Sequence, residues 1–525
     1  MRRTGLVLLA LMIAAVGPGI GGASAARSSG TASPRTSDFN GDGYADLVLA
    51  APRESVNGDE AAGAVNVVYG SSGGLTGAND QIWSQDTFGI LDGAEIGDFF
   101  GSHLAVGDFD ADGYGDLAVG AYAEDVGAVI DAGAVNVLYG SEAGLTAAGT
   151  QLWTQDTPRI PNFAEEGDEF SAGLGAGDFN GDGFADLAIG ARGERFGAAV
   201  IAGAVHVLLG SPEGLMAGRN QLWSQDSDGI EDAAEPSDRF GAFLAAGDID
   251  GDSYEDLAIG VVGEDLGTFP DPGFVPDTGA VNVLYGSAIG LSAQDDQFWH
   301  QDSPGILGVA EGEDLLGGVA LGDFNADGFA DLAVDAFNEG IASADAAGSV
   351  NVIFGSPAGL TSEGNEFWSE NSPNVADVPE AGDRFGVPTP GDFDGDGYDD
   401  LAVGVQGENG GRGALHVLSG STSGLEAGGA YWTQDSSGVL DVAEEGDFFA
   451  TNLAAGDFGL GPEDDLAVGV REDLGTKQDA GAANVLYGSS IGISSDGNQF
   501  WTQDSAGVEG VAEEGDFFGI PLTAG

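Results

Sequence analysis

The run Gly177-Asp178-Phe179-Asn180-Gly181-Asp182-Gly183-Phe184-Ala185-Asp186-Leu187-Ala188-Ile189-Gly190 decides the fold, because it recurs. Related runs begin at Asp38, Asp108, Asp248, Asp323, Asp392 and Asp457, making seven copies at steps of 70, 70, 70, 75, 69 and 65 residues. A second phrase, close to Gly-Ala-Val-Asn-Val-Leu-Tyr-Gly, follows each copy at 63–70, 133–140, 203–210, 279–286, 348–355, 413–420 and 481–488. One tryptophan completes each unit: Trp83, Trp153, Trp223, Trp299, Trp368, Trp432 and Trp501. Such repetition outweighs the three or four ordinary domains that 525 residues would suggest.

Each unit reads as four short strands. In the second unit they run from Phe100 to Val106, from Leu117 to Gly120, from Ala134 to Tyr139, and around Trp153. The runs are β-branched or aromatic and are bounded by glycine and aspartate, as strands require. Four-stranded units that cannot bury both faces alone must stack on neighbours, which predicts an all-β, seven-bladed β-propeller. The stretch 31–37 before Asp38 makes a poor strand, whereas Phe517 to Gly525 supplies the missing one. The C-terminal strand is therefore expected to close the first blade and remove the open edges.

Composition narrows the function. With 87 acidic and 14 basic residues the formal charge is −73, which excludes a basic nucleic-acid face and disfavours anionic membranes. The absence of cysteine excludes disulfide frameworks and thiolate metal sites. The 93 glycines lack the strict three-residue period of collagen, and 42% hydrophobic residues suffice for a large core. Residues 1–25 read as a signal peptide: Arg2 and Arg3, an apolar run from Gly5 to Val16, then Ala23-Ser24-Ala25. Residues 26–36 read as a linker and 37–525 as the propeller, with no later segment resembling a membrane span. The expectation is a secreted, extracellular monomer.

The aspartate phrase is a nine-residue loop, Asp-x-Asp/Asn-x-Asp-Gly-x-x-Asp, between two strands. Positions one, three, five and nine offer side-chain oxygens and position seven a backbone carbonyl, a donor set that suits Ca2+ in an irregular cage. The candidate ligands are Asp38, Asn40, Asp42, Tyr44 and Asp46; Asp108, Asp110, Asp112, Tyr114 and Asp116; and Asp178, Asn180, Asp182, Phe184 and Asp186. They continue with Asp248, Asp250, Asp252, Tyr254 and Asp256; Asp323, Asn325, Asp327, Phe329 and Asp331; and Asp392, Asp394, Asp396, Tyr398 and Asp400. Six calcium sites are expected, the fourth weakened by Ser253 where glycine is preferred. The seventh loop, from Asp457 to Asp465, has Gly459 and Gly461 at positions three and five and is expected to stay empty. At millimolar calcium and a dissociation constant of about 0.1 mM, each site would contribute about 2 kcal/mol.

Phe-Gly at strand one, the aspartate loop, and the trailing Gly-Ala together resemble FG-GAP repeats, which build the seven-bladed propeller at the head of integrin α subunits. The resemblance covers about residues 37–525; Phe-Gly weakens to Phe170-Ser171, Leu316-Gly317 and Phe449-Ala450. It implies calcium loops on one face. The connections from strand two to three and from four to one would form a ligand face on the other. FG-GAP repeats also occur in secreted bacterial proteins, fungal lectins and a phospholipase.

Three further constellations remain. The tryptophans are expected to pack between blades rather than stack sugars, because each follows a residue such as Ile82, Phe298 or Phe500 and both blade faces are covered. Glu-x-x-Asp precedes strand one seven times, at Glu95/Asp98, Glu165/Asp168, Glu235/Asp238, Glu311/Asp314, Glu380/Asp383, Glu444/Asp447 and Glu513/Asp516. A further ring comprises Glu54, Glu124, Glu194, Glu264, Glu339, Glu408 and Glu472. Both rings are expected to cap turns and solvate the ligand face, with extra cations or a cationic partner as the alternative. His103, His206, His300 and His416 are scattered, and no nucleophile elbow, zinc-protease helix or phosphate loop occurs, so no catalytic residue is assigned. The chain reads as a recognition module for extracellular protein or glycan. A hydrolase of glycans or phosphodiesters and a purely structural protein are the alternatives.

Overall fold

The computed structural model describes residues 37–524, apart from 198, 268–272 and 429. The signal-peptide reading at 1–25 and the linker reading at 26–36 lie outside the described residues. Seven antiparallel four-stranded sheets form the molecule. Blade two is His103–Gly107, Asp116–Ala121, Ala134–Tyr139 and Thr146–Trp153, paired in that order. The first strand of each blade packs against the first strands of both neighbours in an unbroken circuit. That circuit runs from His103–Gly107 through Phe170–Gly177, Phe243–Gly247, Leu316–Gly322, Phe385–Gly391 and Leu453–Gly456 to Leu522–Thr523, which returns to His103–Gly107.

The C-terminal strand closes the first blade as expected. Leu522–Thr523 pairs with Leu47–Ala51, matching Val48 with Thr523 and Leu49 with Leu522. Ala64–Tyr69 and Thr76–Trp83 complete that blade. Third strands are buried along their whole length because both faces meet neighbouring blades. The core is accordingly a series of inter-blade clusters. One joins Val65, Val67 and Trp83 of blade one to Phe100, Leu117 and Val119 of blade two.

In blade two the Phe-Gly pair is a turn rather than the start of a strand, whereas in blades three, five and six the strand already begins at Phe170, Leu316 and Phe385. Phe99 and Gly101 adopt φ of 56° and 94°, and the strand begins only at His103. What the pair does is join blades. The Phe100 amide donates to the Ala62 carbonyl of the preceding blade at 2.9 Å, and the same bond recurs at Phe170, Phe240, Leu316, Phe385, Phe449 and Phe518. Gly63 must lack a side chain there, since a Cβ would sit 2.2 Å from the Phe100 carbonyl oxygen. The Phe-Gly and Gly-Ala phrases are thus two halves of one junction between blades.

Two further sets of bonds run round the ring. In the aspartate loops, the amide of position eight donates to the position-one carbonyl of the preceding blade, as from Gly115 to Asp38 (2.9 Å) and Ala185 to Asp108 (3.0 Å). Ala45 to Asp457 (2.8 Å) closes this circuit. On the outer strands, glutamine amides reach the next blade's backbone: Gln81 to Leu145, Gln151 to Leu215, and Gln499 back to Leu75 at 2.9 Å.

Candidate cation-binding loops and the opposite face

The aspartate loops lead into strand two of each blade, so they share one end of the propeller. In all six well-formed loops the position-one carboxylate accepts the amides of positions five and six; Asp38 accepts Asp42 and Gly43 at 3.0 and 2.8 Å. The position-five carboxylate accepts the position-seven amide, as Asp42 does from Tyr44. Ser253 takes a φ of 74° in the fourth loop, the left-handed backbone that glycine adopts without cost elsewhere.

Side-chain oxygens of positions one, three and nine lie within 4.8 Å of one another in the second loop (Asp108, Asp110, Asp116) and the fourth (Asp248, Asp250, Asp256). Position five is not among them. In the third loop the Asn180 amide nitrogen faces Asp186 at 3.2 Å, so ligation by that asparagine needs the amide turned over. The set of carboxylates and carbonyls matches what calcium takes.

Position nine has a second role that the residue pattern alone does not reveal. Asp116 accepts the Phe109 amide at 2.8 Å and the Gly140 amide at 2.9 Å, tying its loop to the end of strand three. All seven loops repeat this, including the degenerate one, where Asp465 accepts Phe458 (2.8 Å) and Gly488 (2.9 Å). Burial pushes the Asp116 carboxyl up to about 8, and the Asp110 and Asp108 charges add to that rise against the pull of the two amides. Burial likewise raises Asp108 and Asp110. Crowding and burial of this kind disfavour the charged carboxylates, and a cation among them would offset that.

At the opposite end lie the connections from strand two to three and from four to one. Glu-x-x-Asp forms a turn there in every blade: Asp98 Oδ2 accepts the Glu95 amide at 2.6 Å, and Asp168 accepts that of Glu165 at 2.6 Å. The second glutamate ring does not solvate the face. Glu124, Glu194 and Glu264 are buried, each taking the amide of a glutamine two residues beyond a tryptophan. Sequence reading missed these glutamines, although Trp-Ser/Thr-Gln-Asp recurs in most units. Trp83, Trp153 and Trp501 are buried between blades, while Trp223, Trp299, Trp368 and Trp432 are half-buried in the same packing. Among the described residues, 13 of the 17 exposed large hydrophobic side chains lie on this end, including Phe88, Ile96, Phe163, Val309, Val442 and Val511. An acidic cleft of about 520 Å³, lined by Glu231, Asp232, Glu235, Asp265 and Phe298, opens beside them.

The histidines do not converge. His206 is buried and His103 half-buried, and desolvation lowers both, to about 4 and about 3. His206 takes the strand-three slot that holds Asn66 and Asn282 in other blades.

The family profile of the FG-GAP repeat matches residues 30–68, 100–138, 170–208 and 387–418. The chain carries FG-GAP repeats. Integrin alpha-PS2 of Drosophila melanogaster is 32% identical over 236 residues, 44% of this chain and 15% of that protein. Phosphatidylinositol-glycan-specific phospholipase D of Bos taurus is 36% identical over 159 residues, 30% of this chain and 18% of that protein. The FG-GAP chain therefore matches less than a fifth of the length of these curated relatives. Among solved structures, a Bacillus licheniformis rhamnogalacturonan lyase covers 94% of this chain and 92% of its own, at 12% identity and a TM-score of 0.32. That overlap is too loose to argue from. This is an integrin-α-like FG-GAP propeller, and no helix among its described residues is long and apolar enough to cross a membrane.

Proposed function

We propose that this propeller is an extracellular, calcium-loaded recognition module that binds protein or carbohydrate through the end opposite its aspartate loops. The observation that carries this reading is the segregation of exposed apolar side chains to that end. Apolar side chains exposed on one end of a molecule mark it as a candidate interaction surface, and the acidic cleft opens on the same end. In the six complete loops Ca2+ would be held by the position-one, -three, -five and -nine side chains and the position-seven carbonyl. Its role is to neutralise carboxylates that the fold packs together. The loops supply rigidity, and the long connections supply contact. The signal-peptide pattern at 1–25 supports export.

The test is binding of the protein to an array of glycans and matrix proteins in millimolar calcium, repeated after chelation alongside a melting curve. Calcium-dependent hits from a folded protein support the reading, and a blank array from a folded protein overturns it. A second reading, a hydrolase of glycans or phosphodiesters, is favoured by the match to a phospholipase D. It predicts that one carboxylate on one blade abolishes turnover, whereas a multivalent surface weakens step by step as blades are altered.

A further inference from the structure

The end opposite the aspartate loops holds one nest of side chains per blade, and the nest of blade six differs from the rest. In six nests a glutamine donates its Nε2 to the buried glutamate that follows strand two, as Gln155 does to Glu194 at 2.8 Å and Gln225 to Glu264 at 2.6 Å. In the seventh, three positions depart together. Glu370 replaces the glutamine, His416 replaces the asparagine of five other blades, and Tyr431 replaces an isoleucine, leucine or phenylalanine.

Glu370, Asp383 and Glu408 are 3%, 2% and 2% exposed, and their carboxylate oxygens come within 4.8 Å of one another. His416 Nε2 lies 3.2 Å from Glu370 Oε1, and the Glu380 amide donates to Asp383 Oδ2. Oε2 of Glu370 and Oε2 of Glu408 are buried without a hydrogen-bond partner among the described residues. For Glu408 the replacement of glutamine by glutamate explains why, whereas Glu370 Oε2 stands where the glutamine Oε1 is unpartnered in the other six nests. The replacement removes the N–H that satisfies the glutamate in the other nests and puts a second negative charge in its place. Tyr431 donates to Asp377 Oδ2 at 3.1 Å, holding a further carboxylate at the exposed mouth. Burial, then the Glu408 and Asp383 charges, push Glu370 up to about 9, and burial and Asp383 push Glu408 to about 7. Buried carboxylates arranged in this way call for a positive charge among them.

We propose that Glu370, Asp383 and Glu408 hold a divalent cation of the hard, oxygen-seeking class, with His416 orienting Glu370 from outside the coordination sphere. This site is separate from the aspartate loops, at the other end of the propeller, and it differs from the Glu95, Asp98, Glu124 and Glu165, Asp168, Glu194 groups of that end in drawing a carboxylate, Glu370, from the glutamine position. Three converging carboxylates suit Mg2+, Mn2+ or Ca2+, and an imidazole that fixes one ligand is the usual kind of outer support.

Mn2+ is the probe. Crystals of the full chain soaked in Mn2+ and measured at the manganese edge should show an anomalous peak between these three carboxylates; no peak there overturns the proposal. In solution, elemental analysis should find one bound Mn2+ fewer per chain in Glu370→Gln and in Glu408→Gln than in the wild type. Glu370→Gln installs the residue that the other six nests carry, so the fold is expected to tolerate it, and a melting curve verifies this. Equal Mn2+ content in folded wild type and variants, or a loss in only one variant, rejects the site. His416→Asn should weaken Mn2+ binding several-fold without lowering the count at saturation, which separates a positioning group from a ligand.

Discussion

His206 is buried with both ring nitrogens unpartnered among the described residues. In four other blades its slot holds an asparagine whose amide reaches a backbone carbonyl, as Asn351 reaches Leu307 at 2.7 Å. Burial lowers the imidazole from its ordinary 6.5 to about 4. A histidine that protonates less readily when folded favours the unfolded chain in acid, so its contribution is intact above pH 6.5 and is lost as pH falls towards 4. That loss amounts to about 3 kcal/mol. His206→Asn should therefore raise the melting temperature at pH 5 more than at pH 8; an equal shift at both would reject the account. A second residue-scale contrast separates the two roles of loop carboxylates. Asp110→Ala should lower stability by about 2 kcal/mol in millimolar calcium and by little after chelation. Asp465→Ala, in a loop without the full ligand set, strands two buried amides and should lose about 2–4 kcal/mol whether or not calcium is present. Denaturant melts in both conditions measure the pair.

Among the elements, the glutamine clasps are the most testable. Gln151 accepts Tyr139 Oη and the Leu215 amide and donates to the Leu215 carbonyl, so one side chain joins strands three and four of its blade to the next blade. Gln151→Ala should reduce stability by about 1–3 kcal/mol independently of calcium, read by urea denaturation. Such contacts mark the limit of what could be read without coordinates. Third strands such as Ala134–Tyr139 were legible to the residue, because apolar side chains between glycines leave no other choice. The loops were legible from the carboxylate spacing, although the amide bonds to Asp116 were not. Phe100-Gly101 was misread as strand, since its partner Gly63 belongs to the preceding repeat and periodicity shows what recurs without showing which repeat touches which. The glutamate ring was expected in solvent for the same reason: Glu124 is covered by Gln85, 39 residues upstream.

For the whole molecule, charge dominates. A chain at −73 repels itself, and repulsion between exposed carboxylates is screened by salt. In chelator the melting temperature should climb steeply as sodium chloride is added, and in millimolar calcium the same titration should be nearly flat. A steep rise in both would mean that bound cations are not what offsets the charge. The pairing of Leu49 with Leu522 has a consequence of another kind. During synthesis the first blade leaves the ribosome as three strands and must wait, with its inner edge open, until Leu522 and Thr523 are made. Blades two to seven can assemble in order meanwhile, each on the wall of the one before. The nascent propeller is thus a curved stack growing from an unfinished start, and Leu522–Thr523 turns that stack into a ring.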